Sequence, residues 1–146
     1  MPAHDVQLDL ARLRRLAVDA IAAFSDEELA AAADAPDEVV PALRGARTLV
    51  EARAYARLVV EPEAVVLTDE ARPTLERFAE LRAPLVESLS VDDARALVRE
   101  LKAAGGDLRS LRLALTGADR GPELAAVVAA ISRDESLARA ARALAS

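Results

Sequence analysis

The chain has no cysteine and no tryptophan, and His4 is its one histidine. Without cysteine there can be no disulfide framework, no thiolate metal site and no cysteine nucleophile. The single histidine sits in an N-terminal tail of the kind that frays, so histidine catalysis is not expected. Aromatic residues make up 2% of the sequence, namely Phe24, Tyr55 and Phe78. A β-sandwich or barrel would need more aromatic and β-branched residues, whereas the abundant Ala and Leu favour helices. With two of the three aromatics expected in the core, a base-stacking platform is poorly supplied. No apolar run reaches the roughly 18 residues that a membrane-spanning helix needs. Residues 1–20 carry Asp and Arg where a secretory signal would be apolar. A soluble, cytoplasmic protein is expected, with no membrane partner.

What remains is a chain of 146 residues, 53% hydrophobic and 30% charged, long enough to bury a core. The net charge is −6, and Lys102 is the sole lysine among 19 basic residues. An acidic balance argues weakly against nucleic acid, and DNA is not expected as a partner.

Helix punctuation is regular. Leu10, Leu13, Ala17, Ile21 and Phe24 recur at helical spacing, and Ser25-Asp-Glu-Glu28 is a capping box that opens the next helix. Beyond Pro36 the segment 38–59 is expected to form one helix, with Val39, Leu43, Ala46, Val50 and Ala54 inward and Arg44, Arg47, Arg53 and Arg57 on a solvated face. Glu61-Pro62-Glu63 and Ala64 to Leu67 read as a connector. Thr68-Asp69-Glu70 opens a helix running to about Ser88, with Leu75, Phe78, Leu85 and Leu89 inward and a kink at Pro84. Ser90-Val-Asp-Asp93 caps a helix that Gly105-Gly106 ends, and Leu108 to Leu115 forms another, stopped at Thr116-Gly117. Pro122 is expected in the first turn of a helix carrying Leu124, Val127, Val128 and Ile131. Ser132-Arg-Asp-Glu135 caps the last, with Leu137, Ala141 and Leu144 inward. The expected fold is all-α: a multi-helix bundle of two small subdomains, residues 8–66 and 67–146, behind a tail at 1–7.

The carboxylate clusters at 26–28, 92–93 and 134–135 all fall in first helical turns, where negative charge complements the helix dipole. None is singled out for catalysis. There is no Gly-rich phosphate loop, no His-Glu zinc helix and no nucleophile elbow, so no cofactor, metal or catalytic residue is expected.

One stretch carries more information. Residues 109–117 read Arg-Ser-Leu-Arg-Leu-Ala-Leu-Thr-Gly, a short loop leads to Gly121-Pro122-Glu123-Leu124, and an apolar helix precedes Ser132-Arg-Asp-Glu-Ser-Leu. This order closely resembles the C-terminal end of bacterial-type glutamyl-tRNA synthetases, class I enzymes. Ala46-Arg-Thr-Leu-Val-Glu51 resembles that family's Ala-Lys-Thr-Leu-x-Glu, and Leu67-Thr-Asp-Glu-Ala71 stands where its last subdomain opens. Leu8-x-x-Ala-Arg-Leu13 and Phe24-Ser-Asp-Glu-Glu-Leu29 are similar to its first helices there, so the resemblance covers about residues 8–146. The His-Ile-Gly-His and Lys-Met-Ser-Lys-Ser signatures of the catalytic half are absent from this sequence.

The resemblance implies a non-catalytic module that recognises the anticodon arm of a glutamate-type tRNA, beside a separate synthetase catalytic subunit or another protein. It implies that Arg112, Gly121, Pro122 and Leu124 meet anticodon bases; the bland alternative for Arg112 is a surface ion pair. Where the family often has an arginine that reads the wobble base, this chain has Gly45, flanked by Arg44 and Arg47. Ala125 stands where a bulkier residue is frequent. These departures and the net acidity favour an alternative function, a helical protein-interaction or regulatory module that has lost tRNA binding.

Overall fold

Hydroxyl and carboxylate caps set where the helices begin. The computed structural model describes residues 21–145; the helix expected from Leu10 through Ala17 and the tail at 1–7 lie outside these residues. Ser25 accepts the Glu28 amide at 3.1 Å while the Glu28 carboxylate accepts the Ser25 amide at 3.1 Å, the full reciprocal box. Those two bonds hold the Glu28 carboxyl below its ordinary pKa. They open α1 (Asp26–Ala33). A 3₁₀ turn, Asp37–Val39, leads into the single turn α2 (Val40–Leu43). Thr48 then caps α3 (Leu49–Val60) through the Glu51 amide at 3.1 Å. After the connector and a second 3₁₀ turn, Asp69–Ala71, comes α4 (Arg72–Arg82), with Pro73 in its first turn. Ser90 caps α5 (Val91–Ala103), Asp107 caps α6 (Leu108–Thr116), and Ser132 caps α8 (Arg133–Leu144). Between the last two lies α7 (Leu124–Ala130). Among the described residues there is no strand, so the fold is all-α as expected.

One core runs through these helices, with Leu29, Leu43, Leu75, Phe78, Leu101, Leu111, Leu115, Val127 and Val128 among its fully buried residues. Every residue of α7 is buried. It packs against α5 on one side and α2 on another, while α8 lies against α4 and α6. A helix that is apolar all round belongs inside a bundle, and alanines let its neighbours approach closely.

The structure departs from the sequence expectation in four places. The segment 38–59 is not one helix: it stops after Leu43, turns through Arg44 and Gly45, and restarts at Thr48. Glycine is a poor helix former, and the Thr48 hydroxyl offers the backbone a new start. The restart changes the helical phase, so Ala52, Ala56 and Val59 face the core, while Val50 is 76% exposed and Ala54 is also exposed. The helix from Arg72 ends at Arg82 and is not merely kinked at Pro84. The loop that follows carries backbone carbonyls that need donors. The buried Arg82 guanidinium supplies them, donating to Val86 O at 2.7 Å and Glu87 O at 2.8 Å. Leu85 consequently lies at the surface, although Leu89 is buried. In α8 the inward residues are Ser136, Arg139, Ala140 and Ala143; Leu137 and Leu144 are half-buried and Ala141 is exposed. Pro122 does not occupy the first helical turn: it precedes α7, whose cap residue is Glu123.

Two buried contacts tie the connector and the last helix to α6. Arg139 donates to Leu115 O at 3.0 Å and to Glu135 at 2.9 Å, placing a cation where the last carbonyls of α6 concentrate negative potential. The same pair holds the Glu135 carboxyl below its ordinary pKa. Gly117 ends α6 at φ 76°, and a Cβ there would collide with the Glu63 carbonyl oxygen. Replacing Gly117 with Ala therefore combines a left-handed backbone with a backbone clash, and a loss of about 2 kcal/mol is expected in urea unfolding. An unchanged midpoint would contradict this packing.

Candidate nucleic-acid interface

The residues expected to meet a ligand come from four elements. Arg44 lies in the turn after α2, Arg47 just before the Thr48 cap, Arg112 on α6, and Gly121 and Pro122 in the loop that enters α7. The break at Gly45 matters here. It takes Arg44 off a helical face and lets its guanidinium reach back, donating to Ile21 O at 2.8 Å and pairing with Asp26 at 2.6 Å.

A groove of about 680 Å³ forms between these segments. Its lining includes Pro41, Arg44 and Gly45 from one side, Gly121, Pro122 and Glu123 from the other, Tyr55 of α3, and Val91 and Arg95 of α5. Arg44, Gly121 and Pro122 are thus brought together. Arg112 stands behind them: its Nη1 donates to the Pro122 carbonyl at 2.6 Å, and it lies 3.9 Å from the position a Cβ of Gly121 would take. That Cβ would also press on Leu58 at 2.9 Å, so a glycine allows the loop to lie against α3.

Three of the six residues do not line the groove: Arg112 stands behind it, and Leu124 and Arg47 lie elsewhere. Leu124 is 7% exposed and belongs to the core, while Arg47 is exposed and pairs with Glu51 at 3.4 Å. Ala125 is likewise buried, so its small side chain serves the packing of α7.

Arg112 is not the surface ion pair that was its bland alternative. Its bond goes to a backbone carbonyl, and it is half-buried. Burial pushes its pKa down, opposed by the neighbouring Tyr55 phenol, yet an arginine remains charged at neutral pH. Tyr55 is affected reciprocally by its surroundings: burial first, then the Glu51 carboxylate, push its phenol up, so it stays neutral with a proton to donate.

Tyr55, Arg95 and Glu123 were not singled out from the sequence. Arg95 grips Glu123 through Nε at 2.9 Å and Nη2 at 3.2 Å. The two are 28 positions apart and carry no local signature, and Tyr55 had no signal beyond its rarity. Arg53 and Arg57, expected on one solvated face with Arg44 and Arg47, instead line a separate open groove with Ala31 to Asp34.

Chemically the groove offers guanidinium donors, one phenol with an aromatic face, two prolines and, at Gly45, open space where a side chain would stand. Among the described residues no group of three His, Asp or Glu could hold a metal ion. Among them, too, no helix is long and apolar enough to cross a membrane.

Residues 15–144 match the family described as "Anticodon binding domain". The chain belongs to that family. The domain is also similar to glutamate–tRNA ligase 1 of Novosphingobium aromaticivorans, 39% identical over an alignment of 95 positions that covers 61% of this chain. It spans about a fifth of that ligase, 21% of its length.

The Arg112 bond to the buried Pro122 carbonyl is charge-assisted, and removing the donor leaves that acceptor unpaired. Arg112→Ala is expected to lower the stability of the domain by about 1–3 kcal/mol in urea unfolding. A stability equal to that of the unaltered chain would mean the bond contributes nothing to the loop.

Proposed function

We propose that the domain binds RNA through this groove, and that its ligand is the anticodon arm of a glutamate-type tRNA. The observation that carries the reading is the convergence of Arg44, Tyr55, Gly121 and Pro122 on one groove, with Arg112 behind it. Single-stranded loops are recognised by splaying bases out, stacking them on aromatic or guanidinium planes and bonding their edges. Tyr55 supplies the plane and the arginines supply donors. Family membership and the similarity to a glutamate–tRNA ligase support the choice of tRNA.

In this reading the domain is not itself a catalyst. It would act in the cytoplasm with a separate synthetase catalytic subunit or another tRNA-using protein. The two proposed parts, 8–66 and 67–146, would flank the anticodon, the first giving Arg44, Gly45 and Tyr55 and the second Arg95, Gly121 and Pro122. Arg112 would position the loop and present its remaining donors to a base. Arg47 and Leu124 would act at one remove, the first as an exposed charge near the entrance and the second by anchoring α7.

A second reading, a protein-interaction module, is favoured by one observation. Between α4 and α5 lies an apolar groove of about 380 Å³ beside Leu85 and Val86, the latter 66% exposed. Recovery of a protein partner and no tRNA from cells would favour it.

The reading is tested by binding of glutamate-type and other tRNAs over a salt series. Selective binding is expected, with a log–log slope of about −0.7 for each phosphate contact on single strands. Arg112→Lys, which keeps the charge but loses the planar fork, is expected to weaken binding by about 1–3 kcal/mol if the fork reads a base. Absence of binding at low salt would contradict the proposal.

A further inference from the structure

The groove holds three arginines on or just behind its surface, and they are not equivalent. Arg112 is bonded to the Pro122 carbonyl and Arg44 to the Ile21 carbonyl, so each holds backbone and cannot leave without loosening a loop. Arg95 holds only side chains. Its guanidinium meets both oxygens of Glu123, at 2.9 and 3.3 Å from Nε and 3.2 Å from Nη2, and touches Asp92 at 3.4 Å. The side chain of Arg95 is 50% exposed and that of Glu123 45%.

A carboxylate bound side-on to a guanidinium takes the same fork geometry as a phosphate. Glu123 also stands at the groove lip, directly after Pro122, where a bound RNA backbone would meet its negative charge. An exposed pair of this kind shifts an equilibrium by about two- to fivefold at most, so an incoming phosphate can displace it.

We propose that Arg95 is a phosphate-binding residue of the groove and that Glu123 is its internal competitor, occupying the fork until an RNA phosphate takes its place. This rests on the RNA-binding reading above. In the free domain Glu123 keeps the fork aligned and keeps other anions off it. In the complex Arg95 turns to the phosphate and Glu123 is released to solvent, so affinity is set below what the arginine alone would give.

The test is the binding of glutamate-type tRNA to the full chain and to Glu123→Gln, Arg95→Ala and the double variant, each checked for an unchanged helical spectrum. Glu123→Gln is expected to tighten binding about two- to fivefold, and Arg95→Ala to weaken it and to flatten the salt slope by about 0.7. On the Arg95→Ala background the gain from Glu123→Gln is expected to vanish, because the pair acts as a unit. An equal gain on both backgrounds would mean simple removal of a negative charge and would overturn the competition. Binding by the unaltered chain with no change in Glu123→Gln would overturn the inference and leave the RNA reading standing. No binding by either would overturn both.

Discussion

Helix α7 is buried along its whole length, and the placement of the groove follows from that burial. Seven residues with four alanines among them give a thin rod against which α2 and α5 pack from different sides. Close packing of this kind fixes neighbours to within a fraction of an ångström, because interiors tolerate few voids. The chain must enter such a rod from the surface, and residues 121–123 are that entry. They come out beside the turn after α2 and the first part of α5, which is where Arg44 and Arg95 lie.

The entry loop is therefore the place where apolar packing and charge meet. Its Pro122 is buried, and the carbonyl of that residue would be costly to leave unpaired. Arg112 meets it from α6 and is itself partly withdrawn from water, which weakens its hold on the proton without removing the charge. A hydrogen bond to a charged donor contributes more than a neutral one, so a half-buried arginine can both pin a loop and remain positive at the groove floor. The same solution recurs elsewhere in the fold. Arg82 secures the loop after α4 by donating to that loop's own carbonyls, and Arg139 the end of α6 by donating to the Leu115 carbonyl in its last turn. Buried arginine in this domain is chiefly a backbone anchor.

This division of labour explains what could be read from the sequence. Ser25, Ser90 and Ser132 were legible as caps because the bond they make spans three residues and leaves its mark in a four-residue pattern. The all-α class followed from alanine, leucine and the scarcity of aromatics. Arg112 and Pro122 entered through resemblance to a family, and their mutual bond was not legible, nor was that between Arg95 and Glu123. Such bonds join residues 10 and 28 positions apart, across helices whose relative placement depends on the whole core. Periodicity also misled where a helix restarted. Val50 and Ala54 belong to the pattern that begins at Val39 only if the backbone continues through Gly45, and the Thr48 cap resets it. Pro84 illustrates the related limit: a proline announces a break, but that the chain leaves the helix and is held by the Arg82 guanidinium depends on the burial of that side chain, which local pattern does not reveal.

The groove, and not the apolar surface beside Val86, is where we place a partner. The most direct measurement is an NMR titration of isotope-labelled protein with the anticodon stem-loop of a glutamate-type tRNA. The largest shifts are predicted at the amides of Gly45, Tyr55, Arg95 and Gly121, with Leu85 and Val86 unmoved. Shifts confined to Leu85, Val86 and Leu89, with the groove residues unchanged, would contradict it.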